Sequence, residues 1–252
     1  MASTGPLFGG ASWPIGYQVG FLEKPFDEVL AVTRSWLKQR GEQPRETALG
    51  LQPLIDHLLR LAPLQMPAGR ELLVETTGGW TMHADNSRGG GDSVSWVGYL
   101  SGLLSCRGVV ARHIPIDQDV YPSTQFELLG PTGEAPLMYV RTITAGIYDE
   151  DRWRFETHGE VQPFEDLAAY RARRIRDRFD RTLLLRYLEA LGITADDPGS
   201  FRSAVLYEDA TTPRWTANIA DVRKERAPRA KAPLRHIRPI STSADAPLSR
   251  AG

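Results

Sequence analysis

Apolar residues recur at three- and four-residue steps in the first quarter of the chain, which predicts amphipathic helices. One helix follows Pro25 and ends at Gly41. A second runs from about Leu49 to Leu61, because its leucines form one stripe. The same spacing predicts a helix from Ser93 to near Gly108.

The period changes to two in the middle of the chain, which predicts strands. They fall at 71–77, 80–84, 109–114, 124–129, 137–144 and 152–157, with weaker candidates before Gly20 and at 204–207. Gly78 and Gly79 predict a hairpin turn between the first two. The last three of the six main strands predict an antiparallel meander.

A long helix is predicted to close the body, from Phe164 or Glu165 to Leu191, with a buried stripe that includes Phe179 and Tyr187. The fold class is therefore α+β: a mainly antiparallel sheet of about six strands, packed with N-terminal helices and a long C-terminal helix. We predict an N-terminal arm at 1–22, a single domain at 23–222 and a disordered basic tail at 223–252.

Composition places the chain among ordinary globular proteins: 252 residues, 41% hydrophobic, 24% charged and one cysteine. The formal net charge of -1 hides an asymmetry, since the tail carries eight basic and two acidic side chains. Contact of the tail with nucleic acid is one expectation, although no nucleic-acid-binding motif accompanies it.

Targeting signals are not found. Cys106 cannot form an intramolecular disulfide, no Lys or Arg precedes Leu22 as in a signal peptide, and no apolar run is long enough to span a bilayer. We expect a cytoplasmic protein without membrane contact.

The densest polar segment runs from Trp80 to Trp96, around a loop of three glycines. Its polar members are His83, Asp85, Asn86, Arg88 and Asp92. Free amides at the start of a helix, beside an arginine, could hold an anion or a phosphate. The alternative is structural: a turn at the Asp-Asn pair, glycines with positive φ, and a helix cap.

Other chemistry is more weakly indicated. His83 and Asp85 share one face of a strand and could bind a divalent ion with His113 and Asp117, but no metal motif is present and we expect no metal or cofactor. Cys106 could be a nucleophile with His113 as its base, yet a buried thiol explains it more simply.

Two surface features have structural alternatives as well. Trp153, Phe155 and Phe164 could stack on a sugar, but aromatic residues at this spacing more often belong to a core. The arginines between 171 and 181 could grip phosphates, but acidic residues in the same segment favour internal pairing.

Several segments resemble uncharacterised bacterial α+β proteins and are similar in general make-up to immunity proteins of polymorphic toxin systems. They are Gly-Gly-Trp80 to Tyr99, Tyr139-Val-Arg141, Trp153 to Glu156, Pro163-Phe-Glu165, Tyr170, and Arg178 to Gly192. The resemblance covers about residues 70–193. It implies a cytoplasmic binding protein rather than an enzyme.

We therefore expect a non-enzymatic, immunity- or inhibitor-like protein that binds a protein partner. The expected contact surface consists of Trp80, His83, Asp85, Asn86, Arg88, Asp92 and Trp96. The alternative is a small enzyme or ligand-binding protein with an anion or metal site at His83, Asp85, Asn86 and Arg88.

Overall fold

The computed structural model describes residues 5–148 and 152–228 and has an α+β fold built on a large antiparallel sheet. The helices are α1 (Phe26–Gln39), α2 (Leu54–Leu59), α3 (Val94–Leu104), α4 (Arg181–Ala190) and α5 (Ile219–Arg226). The first six strands are β1 (Gln18–Leu22), β2 (Arg45–Leu49), β3 (Leu64–Met66), β4 (Arg70–Thr76), β5 (Thr81–Asp85) and β6 (Gly108–Ile114). The others are β7 (Ser123–Glu134), β8 (Tyr139–Ile147), β9 (Trp153–Gly159), β10 (Phe201–Glu208) and β11 (Trp215–Ala217).

Nine of the described strands form one sheet, in the order β2-β10-β4-β5-β1-β6-β7-β8-β9, and β3 pairs with β11 separately. Every adjacent pair in the large sheet is antiparallel. The hairpin of β4 and β5 and the meander from β7 to β9 confirm the predictions made from alternation. The prediction of about six strands is wrong, because the large sheet also contains the two weaker candidates, β1 and β10, and the short β2, which lacks an alternating pattern.

Helices cover both faces of the sheet. One core contains Leu183 and Leu188 of α4, and α2 packs on the same face. The other contains Val29 and Leu37 of α1 and Val97 of α3. Alternate residues of each strand therefore face two different cores, and we call these the α4 face and the α3 face.

Close packing of α3 requires glycine in the strand beneath it. A Cβ on Gly20 of β1 would lie 2.2 Å from Cγ2 of Val97, closer than atoms can approach. The segment predicted as an N-terminal arm thus contributes β1, which lies between β5 and β6 inside the sheet.

Two predicted helices are shorter than expected. Residues 45–49 are the strand β2, paired with β10, so the second helix begins only at Leu54, after Pro53. The prediction of a long closing helix is wrong for the residues before Arg181, where α4 begins. Asp180 is extended, with φ -111° and ψ 178°, and its carboxylate caps α4 by accepting from Leu183 N at 2.9 Å. Short 3₁₀ turns at Ala169–Arg171 and Ile175–Asp177 precede it.

The predicted disorder of the tail is wrong at its start, since 223–226 belong to α5. Arg223 donates to the carbonyl oxygen of Trp13 at 2.6 Å, and Arg226 pairs with Asp119 at 2.5 Å. These contacts order a segment that has few apolar residues. The remaining prediction of disorder, for 229–252, lies outside the described residues.

Candidate functional site

His83 lies at the centre of a polar cluster on the α3 face and is fully buried. Its Nδ1 is 3.0 Å from Oγ of Ser93, the residue before α3, and its Nε2 is 2.8 Å from Oε2 of Glu71 on β4. The imidazole stacks on Trp96 of α3, with ring centroids 4.6 Å apart and planes 16° from parallel. Both ring nitrogens are therefore occupied, and the ring cannot rotate without losing the stack.

Glu71 is the member of this cluster that faces open space. Burial raises the pKa of its carboxyl to about 7, although the hydrogen bond from His83 partly offsets the effect. The side chain retains 19% exposure and lines a cavity of about 290 Å³. We call this cavity the Glu71 pocket. Its other lining residues include Trp36, Arg40, Trp96, Asp209 and Arg214.

Sequence reasoning missed Glu71, although a signal for it was present. The register of the hairpin places Glu71 opposite Asp85 and Leu73 opposite His83, so Glu71 shares a face with both polar residues. Extending the predicted hairpin by cross-strand pairing would have found it.

Asp85 closes the glycine loop rather than facing a ligand. One carboxylate oxygen accepts from Ser87 N at 2.7 Å and the other from Asp92 N at 2.6 Å. The amides of Arg88 and Gly90 also donate within the chain, to Gln65 O and Ser87 O. These four amides of the glycine loop are therefore unavailable to an anion.

Asn86 has a structural role. Its amide oxygen accepts from Gly69 N at 2.9 Å and Arg70 N at 3.0 Å, and its amide nitrogen donates to Pro63 O and to Gln65 Oε1. All four hydrogen-bonding positions of this fully buried side chain are filled.

The remaining predicted residues are separated in space. Arg88 pairs with Glu225 of α5 and lies over the ring of Trp215 at 5.0 Å. Trp80 is 3% exposed and belongs to the core of the α4 face, where its Nε1 donates to Leu191 O at 3.1 Å. Asp92 is exposed as a whole residue. Partial desolvation of its carboxyl group, followed by the negative charge of Asp85, raises its pKa.

The seven residues expected to form a contact surface are thus mostly internal. Trp80, His83, Asp85 and Asn86 are buried, and Arg88 and Trp96 are half-buried. Of the four residues of the alternative site, His83 and Asp85 share the cluster with Glu71, whereas Asn86 and Arg88 have structural partners elsewhere.

The metal ligand set considered above is not brought together. His113 belongs to the α4 face, where its Nδ1 is 3.0 Å from Oγ1 of Thr124, so the sheet separates it from His83. A different set of potential metal ligands does lie close together. It consists of Glu71, His83 and Asp85, each with one ligand atom within 4.8 Å of the others.

The pairing of Cys106 with His113 fails for the same reason. Cys106 is buried in the α3-face core, and burial raises the pKa of its thiol to about 11. It has the surroundings of an inert packed thiol.

Four residues of β8, α4 and the segment before α4 meet in a second buried network. The guanidinium of Arg141 bonds both carboxylate oxygens of Glu165, at 2.8 and 2.7 Å. Tyr170 donates to the same carboxylate at 2.9 Å, and its hydroxyl is 3.0 Å from that of Tyr187. This network joins β8 to the segment before α4, so its role is structural.

Comparison with protein-family models, curated proteins and solved structures finds no match for the chain. In the part of the chain that the structure describes, no helix combines the length and the apolar character needed to span a bilayer.

Proposed function

We propose that the chain binds a small cationic ligand in the Glu71 pocket. The observation that carries the proposal is the Glu71 carboxyl group, which is held by the buried His83 at 2.8 Å and lines the cavity. A cavity that combines aromatic walls with a carboxyl group of perturbed pKa is typical of a ligand site.

Charge balance within the pocket favours a cation. Arg40 pairs with Glu42 at 2.7 Å, and Arg214 pairs with Asp209 at 2.5 Å. Among the described residues, Glu71 has neither a lysine nor an arginine as its ion-pair partner. A ligand cation would supply the missing charge and return the carboxyl group to its ionised form.

The aromatic wall favours a planar cation. The guanidinium carbon of Arg40 lies 4.8 Å from the ring centroid of Trp36, so this surface already accepts a planar cation from the chain itself. An amidinium or guanidinium group can also donate two parallel hydrogen bonds to one carboxylate.

Benzamidine is a suitable probe, since it joins an amidinium to an aromatic ring. We expect it to raise the melting temperature of the native chain in a concentration-dependent way. Glu71→Gln is expected to weaken binding about tenfold or more in calorimetric titration, because the charged acceptor is lost. Glu75→Gln is the matched control, since it changes a half-buried glutamate on the same face of β4.

Equal benzamidine affinity in the Glu71→Gln and Glu75→Gln proteins would place the ligand elsewhere. No binding to the native chain would overturn the proposed ligand class. The stability of each variant without benzamidine, measured in the same melting experiment, separates loss of the site from loss of the fold.

An immunity-like protein-binding role is the second proposal, and one further observation favours it. Large apolar side chains are exposed together beyond β6: Ile116, Val120 and Tyr121, with Tyr148 nearby because Ile147 N donates to Pro122 O. Tyrosine is enriched in protein interfaces, and clustered exposed apolar residues are a common mark of one.

The test is a comparison of variants in affinity capture from the native host. Tyr121→Ser is expected to release a stoichiometric protein partner that the native chain retains. Leu51→Ser is the control, because Leu51 is an exposed apolar residue at a different place. Retention of the same partner by the Tyr121→Ser protein would exclude this surface.

A further inference from the structure

A second cavity lies on the α4 face, on the other side of the sheet from the Glu71 pocket. Its volume is about 460 Å³, within the range of sites that enclose small molecules. The end of β6, the loop that follows it and the N-terminal part of α4 form its walls. None of the residues considered for the Glu71 pocket contributes to it.

Arg181, the first residue of α4, lines this cavity with a half-buried side chain. One of its terminal nitrogens donates to Leu7 O at 3.2 Å, while its buried Nε has no hydrogen-bond partner among the described residues. Burial lowers the pKa of its guanidinium, and the charge of Asp196 partly offsets this effect, although no carboxylate of the described residues forms an ion pair with it. A partly desolvated guanidinium with an unused donor and no ion pair favours an anionic ligand.

His113 lies close enough to Arg181 for the two side chains to interact electrostatically. Burial, and then the positive charge of Arg181, lower the pKa of its imidazole to about 4. The imidazole is therefore neutral at pH 7. Its Nδ1 is 3.0 Å from the hydroxyl of Thr124, so this residue adds no positive charge to that of Arg181.

The rest of the cavity sets the shape and the charge of a ligand. Trp153 and Ile116 supply an apolar wall. Three acidic side chains, Asp117, Asp177 and Asp180, are exposed at the mouth, and the exposed Arg176 there is already 3.6 Å from Asp177. Acidic groups at the mouth disfavour a multiply charged anion such as a phosphate, whereas a single carboxylate needs only one cation.

We propose that this cavity binds a small monocarboxylate with an apolar body. The carboxylate accepts from the Arg181 guanidinium in place of the missing internal anion. The apolar body lies against Trp153 and Ile116. The Arg181 cavity, as we name it, is independent of the Glu71 pocket in its residues, its face of the sheet and the charge of its ligand.

Phenylacetate is the probe, and phenylacetamide is its uncharged counterpart of the same shape. In calorimetric titration of the full chain we expect phenylacetate to bind and phenylacetamide to bind about tenfold more weakly or not at all. Arg181→Gln is expected to reduce phenylacetate affinity by a similar factor. Arg176→Gln removes a neighbouring exposed arginine at the mouth and is expected to leave the affinity within a factor of about two.

Histidine signals in the NMR spectrum keep the test valid if Arg181→Gln impairs folding. Phenylacetate should shift the imidazole resonances of His113 in the native chain and leave those of His83 unchanged, because the sheet separates the two rings. Equal affinity for the acid and the amide, or a shift at His83 alone, would overturn the proposal. Absence of binding at concentrations on the order of 10 mM would overturn it too.

Discussion

Glu127 shows how a single buried carboxyl group makes the stability of this fold depend on pH. Its side chain is 5% exposed, one oxygen accepts from Gln125, and the other has no partner in the described chain. Burial raises its pKa from 4.5 to about 7. The folded state therefore holds a proton that the unfolded state releases above pH 4.5, and this stabilisation is lost as the pH rises through 7.

Glu127→Gln should remove this loss. We expect the variant to exceed the native chain in unfolding free energy at pH 8 by an amount on the order of 1 to 3 kcal/mol, and to lose that advantage at pH 5. Urea denaturation at both pH values measures it, with Glu134→Gln on the same strand as the control. The ionisation of His113 affects both proteins equally, so it cancels in the comparison. The same pH dependence in both proteins would contradict the prediction.

Arg141 and Glu165 should show the cost of breaking a buried ion pair. The two side chains are 4% and 0% exposed. Arg141→Met leaves a buried carboxylate without its guanidinium, and we expect a loss of about 3 to 5 kcal/mol in unfolding free energy. Arg34→Met removes half of an exposed pair with Glu46 and should cost less than about 1 kcal/mol. Similar losses in the two variants would show that Glu165 finds another partner.

Helix α5 contacts three separate segments of the chain and holds them together. Arg226 pairs with the buried Asp119 and donates to Gly89 O at 3.0 Å, which connects α5 to the loop after β6 and to the glycine loop. Arg223 lies over the ring of Trp13 at 4.8 Å, which holds the segment before β1. Val222 of α5 also belongs to the core of the α4 face, so charged, aromatic and apolar contacts hold this helix in place.

Removal of α5 should therefore loosen these segments more than the sheet. We expect a chain ending at Ala217 to lose hydrogen-exchange protection at two amides, that of Gln18, which donates to Gly90 O at 3.1 Å, and that of Gly90, which donates to Ser87 O at 2.9 Å, while β7 and β8 keep theirs. A chain ending at Pro228 is the control, because it retains α5. Equal protection in the two chains would mean that α5 does not fasten the loop.

Elements were predictable where one local pattern was sufficient. The first helix, the hairpin and the meander each combine a clear period with a turn residue such as Gly79. The long closing helix was not predictable, because 164–180 has helical spacing of apolar residues. Its backbone is instead fixed by contacts with distant strands, such as that between Glu165 and Arg141.

For the whole molecule, the position of β10 is the decisive feature. This strand comes late in the chain yet lies between β2 and β4, with Ala204 opposite both Leu49 and Val74. Sheets with such distant pairings fold slowly, in milliseconds to seconds, because long loops must close first.

A chain ending at Ser200 should consequently fail to fold. Without β10, β2 has no partner and β4 presents an open edge, which favours aggregation. We expect loss of the cooperative melting transition seen for a chain ending at Pro228, measured by circular dichroism and by sedimentation. A cooperative transition in the shorter chain would mean that β10 is dispensable.

The residues of the candidate sites also differ in whether the sequence could predict them. His83 and Asp85 were found from the sequence because the residues stand close together in a polar segment. Glu71 and Arg181 were not, since their importance depends on burial and on missing partners, which a local pattern does not report.

The sequence by itself determined the α+β class, the antiparallel hairpin and meander, and the faces of the first and third helices, because these follow from local periodicity and turn chemistry. Tertiary structure alone decided the order of the nine strands and the two cavities. It also decided that Asn86 and Arg88 make hydrogen bonds and an ion pair within the chain. Each of those depends on which distant groups meet. A side chain is structural where its hydrogen bonds and charge have found partners within the fold, and it is available for binding where they have not.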